Sequence, residues 1–129
     1  AKTFEDFPVD LVFGHFGYSH AKHGIHDKGF QGLLELLKNN KAWVKMTGAY
    51  RICDGDFPYA DMRPFSDEVL KANSKRLIWG SDWPHTTEAH HLPDDGELLD
   101  LLYHWVGGSD MFERVLVRNP AKLYGFDLV

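Results

Sequence analysis

The chain of 129 residues carries 14 Lys and Arg against 19 Asp and Glu, a net charge of −5, with 43% hydrophobic and 26% charged residues. That balance argues against disorder and, with no basic cluster, against nucleic acid or an anionic membrane as partner. No apolar run approaches the roughly 18 residues that cross a bilayer, no signal peptide is legible, and the one cysteine, Cys53, excludes an internal disulfide framework and fits a reducing cytoplasm.

The first apolar run, Asp10-Leu-Val-Phe-Gly-His15, reads as a buried strand closed by a glycine and a polar residue. His20, His23 and His26 follow at spacing three, which on a helix would align them for a metal. Gly24 and the nearby lysines make the segment a solvated loop instead. Phe30, Leu33, Leu34 and Leu37 then fall at i, i+3, i+4, i+7, with Asp27 as N-cap and Asn39-Asn40 as stop. The second strand is Ala42-Trp-Val-Lys-Met-Thr-Gly48, and residues 48–59 form a long loop holding Arg51, Cys53, Asp54 and Asp56.

A second helix runs from near Ala60 to Ala72, with Phe65, Val69 and Leu70 inward and Pro64 in its first turn. The third strand is Arg76-Leu-Ile-Trp-Gly-Ser-Asp82, and residues 83–93 form the other long loop, including His90 and His91. A third helix carries Leu98, Leu101, Leu102 and Trp105 after the acidic pair Asp94-Asp95, and Gly107-Gly108 ends it. A fourth begins at Ser109 or Asp110 with Phe112, Val115 and Leu116 inward. Asn119-Pro120 interrupts it before a last turn over residues 121–124.

Strands alternating with helices mean right-handed βαβ units and a parallel sheet in a single α/β domain over residues 1–129. Three parallel strands leave two open edges, whereas a barrel closes with about eight. The chain therefore reads as a portion of something larger. The sheet face turned away from the helices is expected to be apolar, which predicts a homo-oligomer or completion by another chain.

The strand ends carry the chemistry. His15 follows the first strand, Tyr50 and Arg51 lie just beyond the second, and Asp82 closes the third with His85 three residues on. In a parallel sheet these ends share one mouth, where α/β folds place their sites. Arg binds a carboxylate through two parallel hydrogen bonds, and Asp or His can take a proton from water. A carboxylate at the end of a buried strand otherwise caps backbone N–H groups. Trp79 reads as core, Trp83 as a cleft wall, His90, His91 and His104 as surface or helix-face residues, and Cys53 as a thiol without a catalytic motif.

The run Leu77-Ile-Trp-Gly-Ser-Asp-Trp-Pro-His85 resembles the motif at the last barrel strand of the amidohydrolase superfamily, in its lactonase branch. Phe13-Gly-His-Phe-Gly17, Val44-Lys-Met-Thr-Gly-Ala-Tyr-Arg51, Pro93-Asp-Asp-Gly-Glu-Leu-Leu-Asp-Leu-Leu102 and Arg114-Val-Leu-Val-Arg-Asn-Pro-Ala-Lys-Leu-Tyr-Gly-Phe126 agree in the same order. The likeness covers almost the whole chain and is closest to the 2-pyrone-4,6-dicarboxylate lactonase type. It implies a partial (β/α)8 barrel, comprising the last three β/α units and the C-terminal helices. It also implies a small carboxylated lactone as substrate. On it Asp82 activates water, His15 stands by the lactone carbonyl, Arg51 and Tyr50 bind substrate carboxylate, and His85 supports the site.

The family's first strand carries a His-x-His pair, and none occurs here. Zinc-dependent relatives use that pair, and a divalent metal such as zinc would find only His15 and Asp82 in this chain. The alternatives to a lactonase are a non-catalytic interaction subunit and a metal-dependent decarboxylase of the same superfamily.

Overall fold

The computed structural model describes Phe4, residues 7–86 and residues 92–128; His90 and His91 lie outside the described residues. Three strands, β1 (Leu11–Phe13), β2 (Ala42–Met46) and β3 (Leu77–Trp79), form one parallel sheet in the order β1-β2-β3. Val12 is opposite Trp43, and Lys45 is opposite Ile78. All three strands are shorter than their apolar runs, because the final residues of each run turn away to build the mouth of the sheet.

Between β1 and β2 lies α1 (Lys28–Lys38), where the Asp27 carboxylate accepts hydrogen bonds from the Gly29 and Phe30 N–H groups. That cap satisfies two of the donors an isolated helix start leaves open. Phe30, Leu33, Leu34 and Leu37 are all buried. After β2 a single turn, α2 (Ala49–Ile52), occupies the start of the expected loop, and the chain then reaches α3 (Arg63–Asn73) with Pro64 in its first turn. Phe65 of α3 meets Phe30 of α1 with ring centroids 4.6 Å apart. Each such buried ring contributes about 1.5–3 kcal/mol of transfer free energy.

The helix α4 (Asp95–Val106) starts at an Asp94 cap to the Glu97 N–H and ends at Gly107 with φ 74°. It buries Leu98, Leu101, Leu102 and Trp105, and Trp105 stacks edge-on against Phe16 at 5.7 Å. The interruption expected at Asn119-Pro120 does not occur. Helix α5 (Ser109–Glu113) passes through a π-helical stretch, Arg114–Arg118, into α6 (Asn119–Tyr124). Asn119 keeps right-handed helical angles, φ −69° and ψ −49°. Proline lacks an N–H and crowds the carbonyl four residues back, and the wider π winding just ahead of Pro120 accommodates both. Asn119 is itself buried, and its amide donates to the carbonyls of Ser74 and Leu77 at 2.9 and 2.6 Å.

The two faces of the sheet differ. Val44, Met46 and Leu77 join the core under the helices. By strand alternation the other face holds Val12, Trp43, Lys45 and Ile78. The expectation that this face is apolar throughout fails at Lys45, whose ammonium shares it with buried Trp43 and Ile78 and with exposed Val12. At the opposite end from the mouth, Asp10 accepts hydrogen bonds from Trp43 Nε1 and Arg76, both at 3.1 Å. Those hydrogen bonds, the one from Trp43 above all, hold the Asp10 carboxyl below the usual carboxylate range.

Candidate active site

Past β1 the backbone turns through left-handed angles, with φ 47° at His15, 51° at Phe16, 68° at Gly17 and 55° at Tyr18. The turn drops Phe16 into the core and lifts His15 to the rim. His15 Nδ1 lies 3.4 Å from the Thr47 carbonyl, an acceptor, so it donates there and leaves Nε2 facing the mouth. The imidazole lies over Gly48, whose φ is 63°; a β-carbon at that position would run into the ring.

From β3 comes Asp82, also left-handed at φ 68°. Its Oδ2 accepts from the Tyr50 hydroxyl at 2.5 Å and from Arg51 Nε. Its Oδ1 faces His15 Nε2 at 3.8 Å. Burial pushes the Asp82 carboxyl up, but hydrogen bonds from Tyr50 and Arg51 and the charges of His15 and Arg51 outweigh it, so the pKa is lowered. Burial and the same carboxylate push the Tyr50 hydroxyl well above its ordinary value, and the Asp82 hydrogen bond raises Arg51. Tyr50 and Arg51 reach Asp82 because α2 begins at left-handed Gly48 and Arg51 N–H returns to the Gly48 carbonyl at 2.9 Å.

Behind Tyr50 sits His85, with only 4% of its side chain exposed. Its Nδ1 is 2.9 Å from the Tyr50 hydroxyl and its Nε2 is 3.0 Å from Asp95 Oδ1. Of the five residues singled out from the sequence, Tyr50, Arg51, Asp82 and His85 are thus joined in one hydrogen-bonded group, and His15 faces it with Nε2 3.8 Å from Asp82 Oδ1. Left-handed backbone at His15, Asp82 and His85 costs of order 1–3 kcal/mol per residue, a kind of strain that clusters at functional sites.

A cleft of about 150 Å³ opens between Gly14, His15, Lys45, Thr47, Gly80 and Asp82. Thr47 and Gly80 keep its walls together, the Thr47 hydroxyl donating to the Gly80 carbonyl at 2.5 Å. Four contributors were not anticipated. Lys45 was hidden in an apolar run, Thr47 and Gly48 looked like a strand end, and Asp95 looked like a helix cap. A larger cleft of about 580 Å³, bordered by Phe57, Arg63 and Trp105, shares no lining residue with this one. Cys53 is buried with the Gly55 N–H on its Sγ at 3.4 Å, and Trp83 is 74% exposed. His20 Nε2 faces Asp54 Oδ1 at 3.4 Å.

The donor set does not fit a metal by itself. Among the described residues no group of three or more His, Cys, Asp or Glu is placed to hold an ion. His15 and Asp82 are two, whereas catalytic zinc takes three protein ligands. Asp82 Oδ2 already serves two donors.

Comparison with known proteins supplies the frame for these residues. The amidohydrolase family model matches residues 1–126. The chain is 36% identical over 117 residues to a 4-sulfomuconolactone hydrolase of Rhizobium radiobacter, covering 89% of this chain and 39% of that protein. It superposes on a structure from Agrobacterium tumefaciens with TM-score 0.86 and 28% identity, covering 99% of this chain and 46% of the other. A probable 2-pyrone-4,6-dicarboxylic acid hydrolase of Acinetobacter baumannii, solved with citric acid bound, gives TM-score 0.80 and 29% identity over 97% of this chain and 47% of its own. The chain spans less than half the length of these relatives, and its three-stranded α/β sheet is a partial (β/α)8 barrel.

Proposed function

Since this chain belongs to the amidohydrolase family, we propose that it carries the C-terminal half of a site that hydrolyses a carboxylated lactone. The observation that carries this reading is the division of the Asp82 carboxylate. One oxygen is fixed by Tyr50 and Arg51, and the other is turned to the cleft. A general base needs such an arrangement: orientation from one side and a lone pair for water on the other.

In this reading Asp82 takes a proton from water as the water oxygen attacks the lactone carbonyl carbon. The ring C–O bond then breaks, and the proton returns from Asp82 to the departing oxygen. His15 meets the carbonyl at the rim and, with Arg51, favours the negative charge that develops on its oxygen. Arg51 and Tyr50, backed by His85, form the side against which a substrate carboxylate docks.

A second reading draws on the open edges of β1 and β3 in the described sheet. Strands of a second copy or another chain pair at those edges, and this unit acts only in that assembly. Unpaired strand edges favour such pairing.

Both readings are tested by measuring oligomeric state together with hydrolysis of 2-pyrone-4,6-dicarboxylate and 4-sulfomuconolactone, for the chain and its Asp82→Asn variant. Turnover that falls by about 10²–10⁴-fold in Asp82→Asn supports Asp82 as base. Turnover that survives the substitution overturns that role. A folded chain with no turnover, alone or as an oligomer, removes the hydrolytic reading of this unit by itself.

A further inference from the structure

Lys45, the fourth residue of the five-residue strand β2, is half-buried between two fully buried neighbours. Its neighbours Val44 and Met46 are fully buried beneath the helices, so Lys45 projects from the other face, where Trp43 and Ile78 are buried beside it. Moving an ammonium into such surroundings carries a desolvation cost unless something meets its charge. Among the described residues no carboxylate lies within ion-pair distance of Lys45. The acid of the same cleft, Asp82, is not paired with Lys45: its Oδ2 is engaged by Tyr50 and Arg51, and its Oδ1 faces His15 Nε2 at 3.8 Å. Nor is the lysine crowded out of the cleft. Lys45 and Gly80 line the same cleft, and even a β-carbon at Gly80 would sit at ordinary contact distance, 3.8 Å, from Lys45 Cδ.

The charges of the mouth then divide in a simple way. Arg51 and Asp82 balance one another. Lys45 is left as the cation of the cleft with no protein counter-charge among the described residues. We propose that Lys45 is an anion-holding residue of the substrate site, pairing with a carboxylate or sulfonate on the ring that is to be opened. This deepens the lactonase reading and rests on it for the identity of the ligand. It assigns to β2 a specificity contact that Arg51, held on Asp82, does not supply by itself. An ammonium is a point charge that accepts either oxyanion, so it does not require the planar match of a guanidinium.

The test uses the chain as it stands and a ring dianion that cannot be hydrolysed, pyridine-2,4-dicarboxylate, titrated by calorimetry and by amide NMR shifts. Lys45→Met is expected to weaken the dianion about 10–100-fold, as loss of a charge-assisted contact does, and to abolish the shifts at Gly80 and Thr47. Lys45→Arg should retain binding within a few-fold. The uncharged dimethyl ester should bind wild type and Lys45→Met alike. Thermal melts of both variants report folding independently, and Lys45→Arg keeps the question open to decision if Lys45→Met unfolds. The proposal is overturned if wild type does not bind the dianion or if Lys45→Met binds it as wild type does. Its failure is distinct from that of the hydrolytic reading. Turnover lost in Asp82→Asn but unchanged in Lys45→Met leaves the base and removes the subsite. Dianion binding that depends on Lys45, without any turnover, leaves the subsite and removes the hydrolase.

Discussion

Tyr50 donates its hydroxyl hydrogen to Asp82 Oδ2 across 2.5 Å. The Tyr50 hydroxyl oxygen is itself met from behind by His85 Nδ1 at 2.9 Å, and His85 is in turn anchored on Asp95. The carboxylate at the mouth is therefore held through Tyr50 by a residue at the N-terminal end of α4.

Removing that hydroxyl has a directional consequence. Tyr50→Phe deletes a hydrogen bond that lowers the Asp82 pKa while leaving burial, which raises it. Hydrogen bonds to charged groups contribute about 1.5–3 kcal/mol, so the acid limb of the pH–rate profile should move upward. A profile measured from pH 3 to 7 that shows no displacement would mean that Tyr50 does not tune Asp82.

Gly48→Ala tests how His15 is seated. The substitution meets both a left-handed φ of 63° and the imidazole lying over the α-carbon. Alanine in that conformation costs roughly 1–2 kcal/mol, and the ring has to leave its contact with the Thr47 carbonyl. A folded protein with a shifted His15 NMR signal and reduced turnover is expected. Unchanged His15 signals would contradict the packing described.

Acid should destabilise the fold through Asp82 and Asp10, whose pKa values are both lowered in the folded chain. A depressed carboxylate adds stability that is fully present above its unfolded pKa and lost as pH falls through the folded value. Denaturant midpoints should hold steady from pH 7 toward 5 and decline from about pH 4 downward. Asp10→Asn and Asp82→Asn should each flatten that decline. An acid slope identical in the variants and the wild type would assign it to other carboxylates.

Periodicity made the helices legible, because their buried rows, Phe30 to Leu37 and Leu98 to Trp105, sit at helical spacing with side-chain caps in front. The parallel sheet followed from strand–helix alternation. Strand lengths did not, because the same apolar runs supply both paired residues and the turns beyond them. The gathering of His15, Tyr50, Arg51, Asp82 and His85 could be anticipated from their places after strands. Asp95 and Lys45 could not: their chemistry depends on which way a helix start and a strand face point in three dimensions. The passage through Pro120 depends on a π stretch that no propensity signals.

Asn119 gives the assembly a direction in time. Its amide holds the carbonyls of Ser74 and Leu77, the latter the first residue of β3, and β3 leads to Asp82. On a ribosome, where residues emerge in sequence order, the strand that presents the carboxylate waits for a side chain made more than thirty residues later. A nascent chain that has emerged through α5 but not α6 already contains Tyr50, Arg51, Asp82 and His85, without the tie from Asn119 to the start of β3.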